Sequence, residues 1–259
     1  MENIKKSIHK EFQAIGIDEW KAEAQKTLRN VDLDTAITKQ LTENISVKSI
    51  YEQDQVQKYF DLSFPTKSKD IQKYSLFTGI AMECESDLEI AKSLHTVKYE
   101  EKKNAVDVMI DPNFFLSIAK FRAVRFMLAK MGREDVIIIA KSYTCNKSYS
   151  DIENNLIRLT TEAMSAIIGG ADKVDLKPYN SLRQNDEFGK RITDNILLLL
   201  NEESYLSQVK DPLSGSYLIE NLTTEFIASV NKYSEEFSKL KSKDKVEEYV
   251  LMECAMNNY

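Results

Sequence analysis

AVDVMIDPNFFLSIAKFRAVRFMLAKMGREDVIIIAK, residues 105–141, holds a strand, a helix and a second strand in one unbroken stretch. AVDVMID, 105–111, alternates around β-branched residues and predicts a strand. Pro112 lacks an N–H and presets its own φ, so it opens a helix. Phe114, Ile118, Phe121 and Leu128 give that helix an apolar face, and Gly132 ends it. DVIIIAK, 135–141, is a continuous aliphatic run, the pattern of a strand buried on both faces of a parallel sheet. Two strands joined by a helix-length crossover run parallel.

The same alternation continues outward. Downstream, Ile152, Leu156, Leu159, Ala163 and Ile167 form a helical stripe, closed by Gly169-Gly170 with a left-handed residue. DKVDLKP, 172–178, predicts the next strand, and a helix follows over about 187–207. The last long helix carries Ile219, Leu222, Phe226, Val230, Tyr233, Phe237 and Leu240 at near-heptad spacing. It packs either on its own sheet or against a coiled-coil partner. A final helix fits 244–256. Upstream, YSLFTGIAM, 74–82, predicts a strand and 86–95 a helix, while 52–73 is polar and ambiguous. NISVKSIY, 44–51, predicts a short strand. Ile17, Trp20, Ala24 and Leu28 predict a helix over 18–29, with Asp18 as its cap.

Strand and helix thus alternate from 74 to 207, the mark of βα units and a mostly parallel sheet of four or five strands. A closed eight-stranded barrel needs roughly 250 residues of its own. The first and last parts of this chain are helical, so the expectation is an incomplete barrel or an open sheet.

Apolar residues make up 42% of the chain and charged residues 29%, which is the balance of a folded protein and not of a disordered one. A net charge of −6 with no basic stripe excludes an ordinary nucleic-acid binder. Cys84, Cys145 and Cys254 are odd in number and far apart, so they predict reduced thiols, each a small buried hydrophobe, in a cytoplasmic protein. MENIKKSIHKEFQ lacks the apolar run of a signal peptide. The aliphatic runs at 136–140 and 196–200 are too short to span a bilayer, so no membrane partner is expected.

Common catalytic signatures are missing. The sequence has no Gly-rich phosphate loop, no His-Glu-x-x-His and no Cys-x-x-Cys. Its two histidines, His9 and His95, have no further histidine or cysteine at metal-ligand spacing. His95 is expected near the end of a polar helix, where it complements the dipole. The acid pairs Glu202-Glu203 and Glu235-Glu236 are neighbours on helices and point in different directions.

One turn stands out in a chain poor in glycine and proline. EESYLSQVKDPLSGSYLIENLT, 202–223, places Asp211-Pro212 and Gly215 between two helices. Pro212 presets the first turn residue, Gly215 supplies a positive φ, and Asp211 accepts from the backbone two residues on. The turn reads as frame and not as active site.

Several of these segments resemble the methylmalonyl-CoA mutase family. GIDEWKAEAQKTL followed by TENISVKSIY resembles the family's N-terminal arm, where a Trp-containing helix precedes an I-x-V-K-P-L-Y strand. FFLSIAKFRAVRFMLAK, 114–130, resembles the family's FF-x-E-I-A-K-x-R-A-A-R helix. NNLIRLTTEAMSAIIGGAD, 154–172, is similar to a late barrel element. Residues 202–223 are similar to E-E-S…V-x-D-P-x-G-G-S-Y-x-x-E-x-L-T, with Ser214 replacing the first of the paired glycines.

The resemblance leans toward the small subunit of two-chain mutases, which lacks an active site. The catalytic branch carries a His-Ser-Gln-Thr-Ser-Gly-Trp type loop where this chain has KSYTCNKS, 141–148. Neither histidine lies in the family's cobalt-ligating Asp-x-His-x-x-Gly pattern. The chain also ends soon after the last barrel-type helix, so no cobalamin domain is expected, and 51–100 lacks the segment that contacts acyl-CoA.

The resemblance implies an α/β fold. It takes the form of a shortened or partial (β/α) TIM-barrel-like domain over 52–259, with a helical N-terminal arm and strand over 1–51 and a helical C-terminus. It implies a chain that binds no cofactor alone and supports a catalytic large subunit carrying adenosylcobalamin, whose radical chemistry belongs to the cofactor. Self-association is the other way to cover the open barrel. Phe12, Trp20 and Leu28 are candidate partner contacts, with packing on the chain's own core the alternative. Two other functions stay open: an isomerase subunit retaining acyl-CoA or cobalamin at a shared interface, and a stand-alone binding module.

Overall fold

The computed structural model describes residues 15–28, 31–41, 44–48, 50–51, 86–99, 104–142, 144–184, 186–240, 245–246 and 249. Contacts cluster into two units, Met1–Ile50 and Tyr51–Tyr259.

In the first unit, helix α1 spans Ile17–Thr27 and leaves from an extended Gly16. Asp18 lies inside its first turn beside Glu19, where it complements the dipole instead of capping. Helix α2, Leu33–Ile37, is capped by Asp32, whose carboxylate accepts from the Thr35 N–H at 3.1 Å. Gln25 ties the two together, accepting from Leu33 N–H at 3.0 Å and donating to the Val31 carbonyl at 2.9 Å. Strands β1, Thr38–Gln40, and β2, Ser46–Lys48, pair antiparallel with Lys39 opposite Val47. The partner of β2 was not foreseen, because Thr-Lys-Gln carries no apolar alternation.

The second unit runs α3 (Ser86–Tyr99), β3 (Ala105–Met109), α4 (Phe114–Lys130), β4 (Ile137–Lys141), α5 (Asn154–Gly169), β5 (Lys173–Asp175), α6 (Glu187–Glu202), a 3-10 turn (Leu206–Gln208) and α7 (Tyr217–Leu240). The strands β3, β4 and β5 lie side by side in chain order and are parallel, with Val108 opposite Ala140 and Ala140 opposite Val174. Strand β4 departs from the expectation of burial on both faces. Ile138 and Ala140 are buried, while Ile137, Ile139 and Lys141 are only half-buried. The same alternation holds in β3 and β5, so one face of this sheet belongs to the core and the other does not.

Helices α4 and α5, the crossovers of this sheet, pack on each other. Two crossovers in mutual contact lie on one side of a sheet, which explains the one-sided burial. They come close together at Gly169, where a Cβ would stand 2.8 Å from Phe121 Cβ and 3.0 Å from the Ile118 carbonyl oxygen. Asn113, one residue beyond Pro112, caps α4 by accepting from Leu116 N–H. Gly132 and Gly170 end α4 and α5 with φ of 70° and 97°. In each case the glycine's own N–H and the one after it fold back onto carbonyls of the last turn.

Helix α7 buries Ile219, Leu222, Phe226, Val230, Tyr233 and Phe237 against α4 and α3, so its near-heptad stripe is spent within its own unit. Helix α6 ends at Glu202, short of the expected 207. The expected strand at 74–82 lies outside the described residues. Of the expected final helix, Lys245, Val246 and Tyr249 are helical and the rest also lies outside them.

Candidate functional site

Parallel α/β sheets carry their sites at the carboxyl ends of the strands, where the loops converge. Here that edge is formed by Met109, Lys141 and Asp175, which stand in register. The Lys141 ammonium donates to Asp107 at 2.8 Å on the half-exposed face. The Asp175 carboxyl is pushed above its ordinary range, first by burial and further by the charge of Asp107, with Lys141, Lys177 and Lys190 opposing. Ser142 stitches the strand exits together, its N–H donating to the Asp175 carbonyl at 3.0 Å and its Oγ accepting from Lys177 N–H at 2.8 Å. This half-exposed group of one lysine and two carboxylates can bind a polar ligand, and Asp175 keeps its proton to higher pH than an ordinary aspartate.

The loop after β4 is anchored by a buried ion pair. The Lys147 ammonium donates to Glu162 on α5 and to Asn146 Oδ1 at 2.8 Å, and Asn146 Nδ2 donates to the same Glu162 oxygen at 2.7 Å. The Lys147 and Glu162 side chains are 5% and 3% exposed, so this is a buried ion pair. Burial pulls the Lys147 pKa below its ordinary value against the pull of Glu162, and Arg158 adds to the lowering. Glu162 Oε2 is buried without a hydrogen bond. Asn155 then fastens the loop, accepting from Ser148 N–H and donating to the carbonyls of Ser148 and Tyr179. Cys145 is exposed on this loop, contrary to the expectation of a buried hydrophobe, because the polar network turns it outward. Cys84 and Cys254 lie outside the described residues.

The Asp211 turn is held from behind. Arg122 of α4 donates Nε and Nη2 to the two Asp211 carboxylate oxygens, each at 2.9 Å, Nη2 also to Glu220 at 2.9 Å, and Nη1 to Thr223 Oγ1 at 3.1 Å. Asp211 therefore spends its carboxylate on Arg122 and not, as its own segment predicts, on the backbone two residues on. Gly215 has the expected positive φ of 85°, and Asp211 itself has φ of 36°. Burial lowers the affinity of the guanidinium for its proton, but hydrogen bonds and charge from Asp211 and Glu220 reverse this and hold its pKa above the ordinary value.

Arg122 is one of three buried cations on α4 that the sequence reading did not single out. Lys120 donates to the Met109 carbonyl at 2.9 Å, and Arg125 binds the Gly170 carbonyl at 3.0 Å and the Asp172 carboxylate. The available signal was Lys120-x-Arg122-x-x-Arg125 inside an otherwise apolar helix.

The remaining candidates are scattered. Trp20 is half-buried on α1 and Leu28 half-buried at its end, while Phe12 lies outside the described residues. His95 stands a turn inside α3, which continues past the expected end to Tyr99. Its ring meets Phe237 edge-on at 5.8 Å, and burial, then Lys98, pull its pKa down. Among the described residues no group of three His, Cys, Asp or Glu side chains is placed to hold a metal, and no helix is long and apolar enough to cross a membrane. His9 lies outside the described residues.

A parallel β/α domain wound in one direction, with its polar loops gathered at the carboxyl ends of its strands, is the class that fold and site define. The family model described as Methylmalonyl-CoA mutase matches residues 105–243, more than half of the sequence, and the chain belongs to that family. It is 40% identical over 125 residues to the methylmalonyl-CoA mutase small subunit of Porphyromonas gingivalis, covering 44% of this chain and 20% of that protein. It is 34% identical over 119 residues to the small subunit of Streptomyces virginiae, covering 43% of this chain and 19% of that protein. It is 33% identical over 127 residues to a probable mitochondrial methylmalonyl-CoA mutase of Caenorhabditis elegans, covering 45% of this chain and 17% of that protein. The matched part thus spans no more than a fifth of these relatives' length.

Proposed function

We propose that this chain is a non-catalytic, small-subunit-like member of the family, supporting a separate cobalamin-bearing catalytic chain that interconverts methylmalonyl-CoA and succinyl-CoA. The observation that carries this reading is the loop at 141–148. Where the catalytic branch has its His-Ser-Gln-Thr-Ser-Gly-Trp type loop, this chain has KSYTCNKS, and Lys147 is buried against Glu162 and Asn146. Lys147, engaged in this way, holds the loop onto α5. The similarity to proteins named small subunits supports the same reading.

The domain at 52–259 is read as a partial β/α barrel. Strands in chain order with both crossovers on one side are the winding of such barrels. The half-exposed second face would then be the barrel's inner wall. The arm at 1–51 is read as a partner contact through Phe12, Trp20 and Leu28.

The test is to mix the purified chain with the cobalamin-bearing mutase chain of the same organism and measure mass by light scattering after size exclusion. A one-to-one complex, weakened by Trp20→Ala with Leu28→Ala, is expected. A chain that elutes alone at every ratio overturns the reading, and its own mass then reports whether it self-associates.

A second reading rests on the open Asp107, Lys141 and Asp175 group. It is an isomerase subunit that still contributes to binding acyl-CoA or cobalamin at a shared interface. A cobalamin titration followed by absorbance, with and without the catalytic chain, distinguishes it.

A further inference from the structure

A cavity of about 310 Å³ lies between the carboxyl-terminal halves of α3 and α4 and the middle of α7. It uses none of the strand-end and loop residues described above. Its volume is at the lower end of the range for small-molecule sites. Leu94, Phe126, Met127 and Ile227 supply an apolar lining. Lys98 and Lys130, both exposed, stand at its border, and no aspartate or glutamate is among the described residues lining it. Asn231 and His95 add neutral hydrogen-bonding groups, since burial disfavours the charged imidazole.

We propose that this cavity binds a small amphipathic monoanion: an apolar body of several carbons carrying one carboxylate. The apolar body takes the place of water against Leu94, Phe126 and Ile227, which is favourable by area. The carboxylate meets two ammonium groups from separate helices, with charge-assisted hydrogen bonds as the gain. Both lysines sit in last helical turns, where they also offset the carbonyl ends that would otherwise repel an anion. Met127 and Met131 are adaptable, polarizable walls suited to more than one chain length.

The probe is octanoate, with octanol as its neutral counterpart. Full-length protein is labelled at methionine methyls and titrated by NMR, with Met127→Leu and Met131→Leu assigning the two signals. Saturable shifts of these two signals with octanoate are expected, with octanol binding at least tenfold more weakly. In the Lys98→Met, Lys130→Met double variant, octanoate affinity should fall at least tenfold while octanol binding is retained. Both lysines are exposed, and a thermal melt checks that the variant is folded; Lys98→Gln and Lys130→Gln singly serve if it is not. No saturable shift below the concentration at which octanoate forms micelles overturns the proposal. So does equal affinity for octanoate and octanol, or an unchanged octanoate affinity in the double variant.

Discussion

Arg122 grips Asp211 across 89 residues of chain with a two-bond fork, Nε to Oδ1 and Nη2 to Oδ2, each at 2.9 Å. The fork fixes the turn that starts α7 against the middle of α4. It also lets Asp211 hold a left-handed backbone, φ 36°, that a non-glycine residue adopts only when its surroundings impose it. Arg122→Met would leave Asp211 and Glu220 facing each other without a counter-charge. Breaking one partner of such a buried set costs about 3–5 kcal/mol. Arg122→Lys should recover only part of this, because a lysine cannot form the planar fork. Urea unfolding of the two variants measures both. A lysine variant as stable as the parent would show that charge alone, and not the fork, holds the turn.

The fold was legible where burial imposes a period. The 105–141 unit, the α5 stripe and the Gly132 and Gly170 stops all follow from apolar spacing and from the need for a left-handed residue at a helix end. The one-sided burial of β4 was not legible, since a run of isoleucines is silent about whether a second layer covers it. Thr38–Gln40 was invisible because its strand is set by its neighbour and not by its own residues. At the candidate site, the sequence of 141–148 could be read directly. How that loop is held could not be read: Lys147 and Glu162 are 15 residues apart, and only the fold of α5 over the loop brings them together. Arg122 and Asp211 were hidden for the same reason, each ordinary in its own segment.

Lys147 and Glu162 should show strong coupling. Lys147→Met alone leaves a buried carboxylate, and Glu162→Leu alone leaves a buried ammonium, so each should cost about 3–5 kcal/mol. The double variant removes both charges and should cost clearly less than the sum of the two. A double-mutant cycle by urea denaturation reads the coupling. Additive losses would mean that the pair contributes no mutual stabilisation and that the loop is held by Asn155 instead.

Gly169 and Gly170 are adjacent but constrained differently. Gly169→Ala pushes a methyl to 2.8 Å from Phe121 Cβ and 3.0 Å from a backbone oxygen, neither of which can swing away. The cost should be that of overpacking, about 1–3 kcal/mol, through separation of α4 and α5. Gly170→Ala meets open space, but its φ of 97° penalises any Cβ, by about 1–2 kcal/mol. A second substitution tells them apart. Gly170→Asn should be tolerated better than Gly170→Ala, since Asn enters the left-handed region more readily, whereas Gly169→Asn should be worse than Gly169→Ala. Thermal melts of the four variants suffice, and the reverse ranking at either position would contradict the packing described.

Asp175 gives a pH dependence with a definite sign. Its carboxyl is raised above the ordinary value chiefly by burial, with Asp107 adding and Lys141 the first of the opposing charges. The folded chain therefore holds this proton at pH values where the unfolded chain has already lost it. Stability falls with rising pH wherever the native state binds more protons than the unfolded one. The contribution of Asp175 is thus fully present below the ordinary aspartate range and is lost as pH rises from that range through the raised value. Asp175→Asn removes the titration and keeps the shape. It should stabilise the protein at neutral pH relative to the parent, and the gain should vanish on acidification to below pH ~4, near the reference value for aspartate. Urea midpoints of parent and variant across pH 3–8 measure the difference directly. A variant less stable than the parent at pH 7 would mean that the ionised carboxylate is held by Lys141, Lys177 and Lys190 more strongly than burial penalises it, and the open group at the strand ends would then be a fixed ion-pair cluster with no proton to hold.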